Sequence, residues 1–315
     1  MTEGGQAIVL NVKGLGGAKI RTLISSPKHV LRRASKSEIE KYKEPLKNMF
    51  GSIGPIDHYF EAKFEKKIDP NKPGTVNFHP TELSEKDWKY FVIEYKKGQN
   101  QPILKLNQVF LLLDKEILIG PQALFKDSMT WPSRQYFLSK GTIYLDEDFY
   151  LELTDKDASL IRRTYEMLSK HDDKIFSLTE RIGQFYSLYS LPLHSPFRLL
   201  GYFSLIESIL THPPNPTDRF DSITRQITYK FNLLNNRFDD QIIYSEFFKN
   251  NPKNETVWKK LYKIRSQIAH GGKFDFEKEF QDFKDLPNLV FFLHKVVKRI
   301  LFQSLLEPEL MRDLK

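Results

Sequence analysis

Near the C-terminal end of one amphipathic segment the chain carries Arg265 and, five residues on, His270. These two side chains do complementary chemistry. An imidazole takes up and returns a proton near neutral pH, whereas a guanidinium stays charged and grips two oxygens of a phosphate or carboxylate at once. The segment that would position them has marked limits. Asn254 is a favourable N-cap, Glu255 suits the positive end of the helix dipole, and Gly271-Gly272 supplies the left-handed residue that ends a helix. Val257, Leu261, Ile264 and Ile268 recur at i, i+4, i+7 and i+11, which makes a core-facing stripe. At about 100° per residue Arg265 falls roughly 70° from the centre of that stripe and His270 roughly 150°. His270 is thus not expected in the core. On spacing alone it reads equally as a surface histidine or as one favoured at a helix end by the dipole.

A second helix must hold the first. The run Tyr202-Phe203-Ser204-Leu205-Ile206-Glu207-Ser208-Ile209-Leu210 is apolar with one embedded glutamate, and Leu199, Phe203, Ile206 and Leu210 form its core stripe. A carboxylate on the flank of such a stripe needs a partner. Glu207 is expected to orient Arg265, or else to pair with another cation or reach solvent. Taken together, the two segments resemble HEPN domains. The run Leu261-Tyr262-Lys263-Ile264-Arg265-Ser266-Gln267-Ile268-Ala269-His270-Gly271 carries the Arg-x4-His signature, and its Arg-Ser pair leading to a His-Gly helix end is most like the Apea-like branch. The apolar helix with one glutamate is similar to the companion helix of that branch. The likeness covers roughly the last 120 to 160 residues. One residue departs from the family at large: Ser266 stands where HEPN ribonucleases often have Asn, Asp or His, and a hydroxyl is a weaker polar helper.

The resemblance implies a metal-independent endoribonuclease, with no cofactor, in which Arg265 and His270 are catalytic and Glu207, Ser266 and Tyr262 support them. Such cleavage needs a base for the ribose 2′-OH, an acid for the leaving 5′ oxygen and a cation for the phosphorane. His270 ends a helix, where the dipole suits a cation and hence the acid role. Tyr262, one turn before Ser266, is placed either to stack on a base or simply to pack. One chain offers one signature His and one signature Arg, although the reaction needs both a proton acceptor and a donor. An isologous homodimer that joins the ends of two such helices supplies both, and the resemblance implies the same arrangement. The family further implies an RNA-targeting role in anti-phage defence or toxin-like growth arrest, with room for a regulatory protein partner such as an antitoxin. The competing class is a non-catalytic HEPN module that binds RNA or protein, with Arg265 anchoring a phosphate or carboxylate.

The rest of the chain sets bounds on this reading. At 315 residues, with 40% hydrophobic and 13% aromatic content, it suffices for two domains with substantial cores. Cysteine is absent, which excludes disulfides, thiolate zinc sites and a cysteine nucleophile, and a cytoplasmic location is expected. The longest apolar stretches, 108–113 and 115–119, are far below the ~20 residues of a spanning helix, and Met1-Thr2-Glu3-Gly4-Gly5 is unlike the start of a secretory signal. No membrane partner is expected. Strands are predicted at 7–12, 90–96, 103–113 and 115–119, a helix near 35–50, and turns at 69–74 and 98–100. From about Thr154 helical periodicity takes over, with breaks near 171–173, 192–196, 212–218, 250–254 and 271–275. The expected fold class is therefore α+β: a mixed α/β or β-rich domain over 1–150 that senses or positions, then an all-α HEPN-like bundle over 151–315.

Charge and motifs add weaker signals. Of the net +8, an excess of seven lies within residues 13–47, where ten Lys or Arg face three Glu. That stretch is either a polyanion-binding face or a solvated charged one. Gly14-Leu15-Gly16-Gly17-Ala18-Lys19 matches neither the dinucleotide fingerprint nor the Walker pattern and is expected to be a turn. Glu94 and Lys96 on a strand resemble the catalytic half of PD-(D/E)xK nucleases, but the third carboxylate would have to be Asp87 or Asp69. No two of the eight histidines share the i, i+4 spacing of a zincin-type metal site.

Overall fold

Ala7, Ile8 and Val9 have no exposed surface, and three such neighbours in a strand require a sheet covered on both faces. They lie in β1 (Gly4–Val9) of the computed structural model, which describes residues 4–25, 28–50, 60–68, 76–96, 102–125, 128–130, 150–188, 191–215, 217, 222–250, 252–272, 275–276 and 280–315. The chain is α+β and divides into two compact units, Met1–Ser169 and Lys170–Lys315.

The first unit contains, after β1, the strands β2 (Val12–Gly14), β3 (Ile20–Ile24), β4 (His29–Arg33), β5 (Ala62–Ile68), β6 (Val76–Glu82), β7 (Phe91–Lys96), β8 (Ile119–Phe125), β9 (Ser128–Thr130) and β10 (Leu151–Glu152). Six of them form one sheet in the order β3-β4-β7-β1-β8-β9, with neighbours antiparallel. The register sets Ile8 opposite Val92 and Val9 opposite Phe91. β5 and β6 make a separate hairpin, and β2 pairs with β10 in parallel.

Two strand expectations are corrected. Residues 103–113 form a helix, α2 (Pro102–Leu112), preceded by α1 (Lys36–Phe50), which lies where a helix was expected. The reason is periodicity: Ile103, Leu106, Val109, Phe110 and Leu113 are buried at helical spacing while Leu104 is 58% exposed. Residues 115–118 are not a strand either, since β8 begins only at Ile119. The buried Asn11 side chain holds them instead, its amide donating to the Glu116 carbonyl at 2.8 Å and its oxygen accepting from Leu118 N–H at 2.8 Å. The same contact interrupts the predicted strand 7–12 between β1 and β2. The turns predicted at 69–74 and 98–100 fall outside the described residues.

Helix α3 (Asp155–Lys170) belongs to the first unit, although the change of texture near 150 sets it with the helical half. Thr154 and Asp157 cap it reciprocally, Thr154 N–H donating to the Asp157 carboxylate at 2.8 Å and Asp157 N–H to the Thr154 hydroxyl at 3.3 Å. Arg162 donates to the Thr22 carbonyl at 2.6 Å, Lys115 pairs with Asp157 at 2.9 Å, and Asp155 pairs with the buried Arg21. These bonds fasten α3 to the sheet region.

The second unit is built from α4 (Leu178–Ser187), α5 (Pro196–Leu210), α6 (Ile223–Asn235), α7 (Asn254–Ala269), α8 (Leu286–Leu306) and α9 (Pro308–Leu314). Most of their ends lie near the polar breaks read from the sequence, but the helices after the breaks at 171–173 and 271–275 begin only at Leu178 and Leu286, and further breaks follow Asn235 and Leu306. In α8 the buried set Leu289, Val290, Phe292, Leu293, Val296, Val297, Ile300 and Leu301 covers about half of the helix circumference, as expected of a central core element. Aromatic packing fixes α7 against it. The Trp258 ring lies 5.1 Å from Phe231 of α6 and 6.1 Å from Phe292 of α8, and its N–H donates to the Tyr244 hydroxyl at 3.0 Å. Truncating such a residue to Ala costs about 3–5 kcal/mol. The first half of α7 is therefore a firm base for its last turn. Among the described residues no helix is long and apolar enough to cross a membrane.

Candidate active site

The last turn of α7 closes on a glycine. Gly271 takes φ +68°, its N–H donates to the Ile268 carbonyl at 3.2 Å, and Gly272 N–H donates to the Gln267 carbonyl at 2.7 Å. This is a Schellman motif, and it satisfies carbonyls that a helix end otherwise leaves open. His270 is the cap residue, with φ −100° and ψ 11°, and its own N–H donates to the Ser266 carbonyl at 3.1 Å. The helix start differs from the sequence reading. Lys253 takes the cap position, because its carbonyl receives the first helical bond, from Val257 N–H at 3.1 Å. Asn254 instead donates its side-chain amide to the Asn232 side chain on α6 at 2.8 Å.

Val257, Leu261 and Ile264 are fully buried, Ile268 at the end of the stripe is only half-buried, and Trp258 joins the buried set one position over. Arg265 lies on the flank of that stripe with 29% of its side chain exposed. Its Nε is 3.2 Å from Glu207 Oε1, and its Nη2 donates to Glu207 Oε2 at 3.3 Å. Glu207 Oε1 is shut off from solvent, so the guanidinium is what compensates it. The other side of Arg265 faces the Tyr262 ring, with Cζ 5.6 Å from its centroid. Glu207, Arg265 and Tyr262 thus form one cluster across α5 and α7, and the flanking position of Glu207 beside fully buried Leu199, Phe203, Ile206 and Leu210 makes that contact possible. Ser266, half-buried, follows on the same turn.

His270 stands apart from this cluster. It is exposed, and by helix geometry it lies about 140° round and roughly 7.5 Å along the axis from Arg265. Among the described residues its ring has no hydrogen-bond partner. The other histidines of this unit are differently placed. His294 bonds the Tyr202 hydroxyl through Nδ1 at 3.2 Å and packs on Phe185, His171 bonds the Phe176 carbonyl at 2.8 Å, and His212 bonds the Pro213 carbonyl at 3.1 Å. His194 is exposed in a turn between α4 and α5. Among the described residues of this unit, then, no second imidazole is bonded at Arg265.

Of the weaker sequence candidates, the glycine run, Glu94 and Asp87 take structural roles, and the Lys96 side chain lies outside the described residues. The glycine run turns at Gly16 and Gly17, both at positive φ, and wraps its carbonyls around Arg21, which donates from Nη2 to Leu15 at 2.6 Å and to Gly16 at 3.3 Å. Glu94 pairs with Arg32 at 3.0 Å and Asp87 accepts from the Ser84 hydroxyl at 2.6 Å, while Asp69 lies outside the described residues. Among the described residues no three metal-ligating side chains gather. One cation escapes the sequence reading: Arg181 on α4 reaches the Ser208 hydroxyl of α5 at 2.6 Å. It adjoins the buried Ile182 of its own helix, and a charge beside an apolar stripe is the signal that marks it.

Comparison with protein-family models, with curated proteins and with solved structures finds no match to this chain. The likeness to HEPN domains rests on the residues themselves.

Proposed function

We propose that the second unit is a HEPN-type endoribonuclease of the Apea-like kind, in which Arg265 holds the scissile phosphate and His270 moves the proton. The observation that carries this reading is an arginine clamped by Glu207 and Tyr262 beside an exposed, unencumbered histidine on the same helix end. A clamped guanidinium loses little freedom when it meets a phosphate, which is what preorganised charge stabilisation requires. Glu207 acts as the positioning residue, and Ser266 and Tyr262 border the phosphate path. Attack by the ribose 2′-OH breaks the P–O5′ bond, a base takes the 2′ proton, and an acid gives one to the 5′ oxygen.

Two proton roles and, among the described residues of the second unit, one available imidazole call for a homodimer. Joined about a two-fold axis at the ends of α7, two chains would pool two His270 and two Arg265 side chains along one strand of RNA. Light scattering at assay concentration is expected to report a dimer, and a fully active monomer would defeat this arrangement. A cytoplasmic setting in phage defence or growth arrest suits such an enzyme, with the first unit sensing a trigger or receiving a regulatory protein.

The test is incubation of wild type and His270→Ala with total RNA, followed by mapping of the product ends. Wild type is expected to cut, and the variant to lose about 100-fold or more of that activity. Undiminished cutting by His270→Ala would overturn the assignment. RNA binding without any cutting would favour the non-catalytic module, whose Arg265 only anchors a phosphate.

A further inference from the structure

Arg181 is a cation of the second unit that has no ion pair among the described residues. Among the described residues no carboxylate lies within ion-pair distance of it, whereas Arg265 has Glu207. Its guanidinium borders a cavity of about 360 Å³ between α4 and α5, lined also by Gln184, Leu188, Ser204 and Ser208. Nη1 donates to Ser208 Oγ at 2.6 Å and makes a longer contact to Gln184 Oε1 at 3.5 Å. Ser208 gives its own proton to the Leu205 carbonyl at 2.7 Å. Nε is shut off from water and has no acceptor. A buried N–H of a charged group left so is costly, and an anion held against the part of the fork that borders the cavity offsets that cost. The exposed Ser204 adds a hydroxyl with no other bond among the described residues.

We infer that the Arg181 cavity is a second phosphate subsite, holding the RNA backbone beside the phosphate gripped by Arg265. The inference rests on the reading of the Arg265 site as one that engages RNA. The two arginines reach consecutive residues of one helix, Arg265 meeting Glu207 from α7 and Arg181 meeting Ser208 from α4. At about 100° per residue Ser204 falls between those two directions, roughly 60° from Glu207 and 40° from Ser208. A strand that crosses the exposed flank of α5 over Ser204 therefore meets a guanidinium on either side. A polymer with a charge at every nucleotide satisfies both cations at once, whereas a mononucleotide or free phosphate satisfies one. The cavity volume admits a nucleotide-sized group, and the fork of Arg with hydroxyl neighbours suits phosphate oxygens.

The experiment measures binding of a fluorescent single-stranded oligonucleotide with 2′-O-methyl sugars, which offers no 2′-OH for attack, to the full chain over a range of salt. Arg181→Gln and Ser204→Glu are compared with wild type, the second placing a carboxylate beside the guanidinium as an internal competitor on an exposed position. Both are expected to weaken binding about tenfold, and Arg181→Gln to reduce the slope of log K against log salt by roughly 0.7, the share of one single-strand phosphate. Inorganic phosphate and a nucleoside monophosphate, as competitors, are expected to displace the strand only at millimolar concentration. Unchanged affinity and slope in both variants would overturn the subsite, as would failure of the wild type to bind the strand. Arg181-dependent binding that prefers free phosphate or the monophosphate to the strand would also overturn it. The two readings fail separately: Arg181-dependent binding without cutting removes the ribonuclease and leaves the subsite, whereas His270-dependent cutting with wild-type binding in both variants does the reverse.

Discussion

Arg32 in the first unit and Arg265 in the second both sit on glutamate, and they differ in what they leave over. Arg32 bonds Glu94 at 3.0 Å and both oxygens of Glu38 at 2.8 Å, so two carboxylates answer one cation. Arg265 shares a single glutamate, and its neighbour Arg181 has no carboxylate among the described residues. In the basic stretch 13–47, Arg21 is buried among carbonyls beside Asp155, Lys36 pairs with Glu85, Lys43 with Glu61, and Arg33 lies over Phe91 and donates to the Trp88 carbonyl. A count of cations along a sequence therefore overstates what is offered to a polyanion, because the fold brings carboxylates from outside the counted window. The cations to watch are those whose partners are too few.

The strongest way to break this contrast is Arg265→Lys. An ammonium has the charge but not the fork, so cutting is expected to fall about 100-fold or more while the unfolding temperature changes little, the position lying beside the core and not within it. Full activity would show that geometry at this residue is unimportant. A collapse of stability would make Arg265–Glu207 a structural pair like Arg32–Glu38.

Glu38→Gln is the converse. Glu38 accepts from Arg32, from Gln6, and from Ser35 N–H at 2.7 Å in a reciprocal cap of α1, so the variant is expected to destabilise the first unit by about 1–3 kcal/mol and to leave RNA binding as it was. Partial burial pushes the Glu38 carboxyl up, but the Arg32 and Ser35 hydrogen bonds and the Arg32 charge outweigh it and bring it down to about 2. A carboxyl lowered in the folded state contributes stability that is complete above its ordinary value near 4.5 and is lost as pH falls toward 2. An acid titration of unfolding should show this loss in the wild type and a smaller one in Glu38→Gln; equal acid limbs would remove Glu38 from the account.

The smallest effect is expected at Gly271→Ala. A methyl group there meets no atom within 4 Å, so the cost is that of φ +68° alone, about 1 kcal/mol in thermal unfolding. A cost near zero would mean that the helix end relaxes out of the Schellman geometry, and with it the seat of His270.

The site was legible in the sequence where one helix carries it. The stripe of α7, the glycine that ends it, the exposure of His270 and the flank position of Glu207 all follow from 3.6-residue periodicity, and a carboxylate in an apolar run announces its need of a cation. The helical half was legible for the same reason. The first unit was less so, since Val109 to Leu113 are all buried and so carry no periodicity, and the exposed Leu104 was too slight a cue. Asn11 interrupts a strand through bonds to residues more than a hundred positions away, which no local pattern records. Arg181 was missed because its significance is the lack of a carboxylate beside it among the described residues, and which groups meet is a property of the fold.

The central claim is that the end of α7 cuts RNA by attack of the 2′-OH, with the chain's own side chains supplying the acid and the cation. The most direct measurement is incubation of the full chain with single-stranded RNA in excess EDTA, with chemical identification of both new ends. Cutting is expected to persist in the chelator and to leave 2′,3′-cyclic phosphate and 5′-hydroxyl ends. Cutting that stops in EDTA and returns with a divalent ion, or products that carry 5′-phosphate, would contradict it.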